Sequence, residues 1–69
     1  MYPISLPDCQ AYVSVHDNMV TRAVVETPAG TRPARLLMSD SNGGWIPLRN
    51  VAYRDFVNGI GTTFKVVVA

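Results

Sequence analysis

Cysteine and histidine each occur once in the 69 residues, as Cys9 and His16. A lone cysteine excludes an internal disulfide, and the two together fall short of the ligand sets of zinc ribbons and zinc fingers. No metal and no cofactor is therefore expected. Lysine also occurs once, as Lys65, and six cations stand against five anions for a net charge of +1. With no polybasic or acidic tail, charge alone directs the chain to neither nucleic acid nor membrane. The longest apolar run, Val66–Ala69, is far below the roughly 18 residues of a spanning helix, so no membrane partner is expected. Met1–Pro7 has two prolines and no basic residue, unlike a secretory signal, which needs a charged start and an unbroken apolar stretch. A cytoplasmic location is the expectation, and the unpaired Cys9 agrees with it.

What is present points to β structure. The chain is 48% apolar and 16% charged, a globular balance that its length confines to one domain over residues 1–69. Turn signals recur at Asp17–Asn18, Pro28–Gly30, Ser39–Gly44 and Asn58–Gly61, with segments rich in Val, Thr, Tyr and Phe between them. That rhythm predicts an all-β fold, a small five-stranded barrel with at most one or two helical turns. Strands are expected near Gln10–His16, Met19–Thr27, Arg32–Ser39, Gly44–Leu48 and Thr62–Val68, after an extended N-terminal segment over 1–8. Alternation sets Ala11, Val13 and Val15 inward against Tyr12, Ser14 and His16, and Phe64, Val66 and Val68 inward against Lys65 and Val67. Only Leu48–Val57 carries helix-like spacing.

The Thr27–Thr31 turn sets two demands against each other. A three-residue loop with Gly30 at positive φ pairs Thr27 with Thr31, whereas alternation pairs Ala23 with Leu36 and Val25 with Ala34. A one-residue slip turns every side chain to the other face. Pro33 cannot donate to a ladder, so a bulge beside it is expected to reconcile the two.

Three pieces of the middle of the chain, Arg22-Ala23-Val24-Val25, Arg35-Leu36-Leu37-Met38-Ser39-Asp40 and Gly44-Trp45-Ile46-Pro47-Leu48, resemble small barrels of the Src-homology-3-like and Tudor-like type. The resemblance covers under half the chain and implies a fold only. The early Ala-Leu-Tyr-Asp-Tyr segment of Src-homology-3 domains has no counterpart. Of the aromatic residues, Tyr12, Trp45, Tyr53 and Phe56 are the candidates for a Tudor-like cage.

Catalytic readings fail on geometry, and the chain is read as no enzyme. Ser14 and His16 lie two apart on one strand, about 7 Å between Cα atoms with parallel side chains, too far for a nucleophile and its base. His16 and Asp17 are read instead as the start of a turn. Cys9 has no base beside it, and the adjacent Asp8 disfavours a thiolate. It is expected to pack as a small half-buried residue. Ser39–Gly44 lacks the lysine and following helix of a phosphate loop.

Binding residues are better represented. Five of the six cations are arginine, the residue suited to bidentate pairing with carboxylate or phosphate, although solvated pairing with Glu26 or Asp40 also accounts for them. Alternation places Val24 and Leu37 outward with Arg22 and Arg35, a mixture that has the composition of an interface core. The alternative is that the N-terminal segment Tyr2–Leu6 covers this face. The candidate binding set is Arg22, Arg35, Leu37, Trp45, Arg49, Tyr53 and Arg54. Trp45 is expected to be largely buried. The terminal strand carries one charge, so it is expected to lie centrally or to pair with another subunit. A homo-oligomer with Phe64–Val68 in or beside the interface follows, with Val67 facing away from Phe64. The leading expectation is a non-enzymatic module that docks on a larger protein partner or a second copy, in the manner of a phage or mobile-element accessory or inhibitor protein. The alternative is a nucleic-acid-binding barrel that uses Arg22, Arg32, Arg35, Arg49 and Arg54 with Trp45 or Tyr53 as stacking platforms.

Overall fold

A computed structural model describes all 69 residues. Six antiparallel strands form one sheet: β1 (Tyr2–Ser5), β2 (Gln10–His16), β3 (Met19–Thr27), β4 (Gly30–Ser39), β5 (Trp45–Pro47) and β6 (Phe64–Val68). A single helix, α1 (Tyr53–Gly59), precedes β6. The strands run β1-β2-β3-β4, and β4 then pairs with both β5 and β6. The mostly β expectation is met, but the sheet has six strands rather than five. It does not close into the expected barrel, because β1 pairs only with β2 and β6 only with β4.

Local chemistry sets the turns. Asp17 and Asn18 take positive φ of 51° and 66°, the left-handed pair that a two-residue hairpin needs and that Asp and Asn tolerate. The β3–β4 turn is also two residues long, with Thr27 paired to Gly30 and Ala23 to Ala34. Gly30 has a φ of 116°, which a side chain rarely adopts. The conflict around Pro33 is thus resolved by shortening the loop by one residue, and the expected bulge there does not form. Pro33 accepts a bond from Ala69 N–H at 3.0 Å, so its ring nitrogen faces the end of the β6 ladder, where few ladder bonds remain to lose. The sheet's irregularity lies between Ser14 and Val15 instead.

β3 and β4 part beyond Ala23 and Ala34, and the chain from β5 to α1 fills the fork. β5 pairs with β4, while Val20 N–H donates to Val51 C=O at 2.9 Å and Tyr53 N–H to Asn18 C=O at 2.8 Å. This route brings α1 over the inner face of the sheet. There Phe56, fully buried, meets Phe64 with ring centres 5.6 Å apart. Ile4, Ala11, Val13, Val20, Ala23, Val25 and Val51 complete the buried core, with Cys9, Leu36 and Val66 half-buried against it. The helix overlaps the expected Leu48–Val57 region, but it starts later, at Tyr53, and runs past Val57 to Gly59.

Candidate interaction face

Cross-strand partners point to the same side of a sheet, so the register fixes the outer face. Pro3 stands beside Tyr12, Tyr12 beside Val24, and Val24 beside Pro33, a row across four strands. Further along β4, Arg35 pairs with Val67, and Leu37 lies between Pro47 and Lys65. Trp45 stands opposite Ser39. Its indole is 39% exposed, so the expectation of a buried Trp45 is wrong. Lys65 Nζ covers its ring at 4.5 Å.

Nothing covers this face. β1 lies in the plane of the sheet, paired residue for residue with β2, rather than folding over the outer side as the alternative reading had it. The helix lies against the opposite side, where Phe56 is buried.

The sheet brings together four of the seven candidate residues, Arg22, Arg35, Leu37 and Trp45. Continuing the β3–β4 register by one step sets Arg22 opposite Arg35, where the two strands part. Like charges so placed repel, and neither arginine has a carboxylate within 4.0 Å. The one basic side chain within 4.0 Å of a carboxylate is His16, with Nε2 3.4 Å from Asp17 Oδ2 on the exposed β2–β3 turn. The pairing of arginines with Glu26 or Asp40 is therefore not formed. Asp40 is occupied otherwise: the N–H groups of Asn42 and Gly44 donate to its Oδ1 at 2.8 and 2.7 Å, which orders the Ser39–Gly44 tip.

Tyr53, Arg54 and Arg49 do not join the group. Tyr53 begins α1 on the inner side and packs on Tyr2, with ring centres 5.0 Å apart. Arg54 is exposed on the same helix, and Arg49 follows β5 in a loop. The sequence reading missed Pro3, Pro33 and Pro47 as members of the face. Proline alternates like any other residue, but only strand pairing reveals which prolines share a side.

Tyr12 holds its phenol proton more tightly than a free phenol does. Partial burial raises its pKa above the usual value of 10.0, and the neighbouring Glu26 carboxylate raises it further by repelling a phenolate and accepting the phenol's hydrogen bond.

No family model, no curated protein and no solved structure matches the chain. No helix is long and apolar enough to cross a membrane.

Proposed function

We propose that the chain is a non-enzymatic protein-binding module that docks through the outer face of its sheet on a larger protein. One observation carries the reading: the row from Pro3 to Pro33 continues through Val67 and Leu37 to Trp45 with no element of the chain laid over it. Tyrosine, tryptophan and arginine are the residue types that dominate binding at interfaces, and this face holds all three. Arg22 and Arg35 stand without carboxylate partners, so the complementary surface is apolar at its centre and acidic where it meets them. Such a protein acts by occupying a partner's surface, the mode of an accessory or inhibitor protein.

A nucleic-acid role is the second reading. Its support is the unpaired Arg22 and Arg35 on the same face as an exposed Trp45. Affinity capture with and without nuclease separates the two. Partners retained after nuclease, and lost from a Leu37→Asp variant, fit the protein-binding reading. Partners lost to nuclease, with binding that falls steeply as salt rises, fit the other.

A further inference from the structure

The open side of the sheet has a defined chemistry. Each neighbouring pair in the path β1-β2-β3-β4-β6 is antiparallel, so the two outer strands, β1 and β6, run in the same direction. An all-antiparallel sheet closes only with an even number of strands, and this path has five. One further strand, running opposite to both edges, would be antiparallel to each.

The edges differ in what they offer. Ser39 N–H donates to Thr63 C=O at 2.8 Å, and Ala69 N–H donates to Pro33 C=O at 3.0 Å. Odd-numbered residues of the β6 segment therefore turn their backbone groups toward β4, and Val66 and Val68 turn theirs outward. Gly61 N–H takes the Phe64 carbonyl at 2.8 Å, so the open stretch begins at Val66. Across the gap, Tyr2 and Ile4 face β2, which leaves Pro3 and Ser5 on the β1 edge. Pro3 has no N–H to give. β6 is thus the receptive edge and β1 the blunted one. Of the two expectations for the terminal strand, the central position is excluded, since β6 pairs only with β4 and is an edge.

Between them lies a groove of about 530 Å³, lined by Leu6, Ile60, Val66, Val68 and the single cation Lys65, with Asp8 at the end away from Lys65 along β6. A second hollow of about 540 Å³ continues it past Asp8 and Val68 to Glu26. Neither carboxylate has a cation within 4.0 Å.

We propose that this groove accepts an extended segment of a partner protein as an added strand antiparallel to β6. Its backbone pairs with Val66 and Val68, and its alternate aliphatic side chains enter the groove. An antiparallel strand brings its N-terminal end to the C-terminal end of β6, where Asp8 and Glu26 stand, so the segment carries Lys or Arg there. The paired backbone lies on the β6 edge rather than on the outer face, while Glu26 and Lys65 border both.

The test uses the full chain, isotopically labelled, and a synthetic probe: an acetylated, amidated peptide of two arginines followed by alternating valine and threonine. Binding is expected to slow exchange of the Val66 and Val68 amides. Moving the arginines to the probe's C-terminal end is expected to weaken binding at least threefold. N-methylation of the probe's central residues is expected to weaken it at least tenfold, and this control leaves the protein untouched. Val68→Pro removes an edge N–H outside the β4 ladder and is expected to lose binding at least tenfold, while Val68→Thr retains it. The proposal is overturned by no binding at millimolar probe, by shift changes confined to Tyr12 and Leu37 on the outer face, or by Val66 and Val68 amides already protected without probe in a dimer.

Discussion

The Lys65 ammonium group lies 4.5 Å from the centre of the Trp45 ring, and the two residues reach each other across β4 from the separate strands that flank it. Trp45 is thus held in place on the surface rather than by the core. A cation over an exposed indole contributes about 0.5–1 kcal/mol. Trp45→Ala should therefore cost about 1 kcal/mol or less in urea unfolding while abolishing partner binding, as expected of an interface anchor. A loss of about 3–5 kcal/mol, the range for a core aromatic, would contradict this placement.

Phe56 has the opposite role. It is the largest fully buried side chain and the one buried residue of α1, and its ring packs on Phe64 of the sheet's inner face. Phe56→Ala should cost about 3–5 kcal/mol, most of the stability of a domain this small. The check is a far-UV circular dichroism melt: the variant should show a strongly lowered or missing transition.

Tyr12 gives a pH signature. Its folded pKa is raised above 10.0 by partial burial first and by Glu26 second. The folded state therefore holds the phenol proton more tightly than the unfolded chain does. The associated stability is present below pH 10 and is lost as pH rises through the folded value. NMR titration of the Tyr12 ring should show a midpoint above 10 that moves down in Glu26→Gln. A midpoint unmoved by that change would mean that Glu26 plays no part.

Self-association, expected from the terminal strand, can be tested at Val67. Val67 pairs with Arg35 on the outer face, so Val67 belongs to the same surface as Val24 and Leu37 and not to an alternative one. A homo-oligomer built on this face should fall to monomer mass with Val67→Lys in size exclusion with light scattering. A monomer mass for the unchanged chain at high concentration would defeat self-association, and an oligomer indifferent to Val67→Lys would place it off this face.

Local signals carried much of this fold. Gln10–His16 and Met19–Thr27 were legible to the residue because alternation and the Asp17–Asn18 turn agree there. Arg22, Arg35 and Leu37 were placed outward for the same reason. Failures came where a non-local partner decides. Residues 1–8 read as an extended segment, with Tyr2–Leu6 as a cover for the outer face, and only pairing with β2 makes Tyr2–Ser5 a strand. Trp45 follows two glycines and precedes an isoleucine, a context that suggests burial. Its pairing with Ser39 turns it outward. Closure is likewise a property of five strands together, and no segment of the sequence states it.

The most direct test of the docking face is a comparison of protein capture by the native chain and by a Leu37→Asp, Trp45→Ala double variant, each tagged, after nuclease treatment. Circular dichroism confirms that both are folded. The account predicts a protein partner retained by the native chain at raised salt and lost by the variant. Equal capture by both folded proteins would contradict it, because binding would then not depend on the face that runs from Pro3 to Trp45.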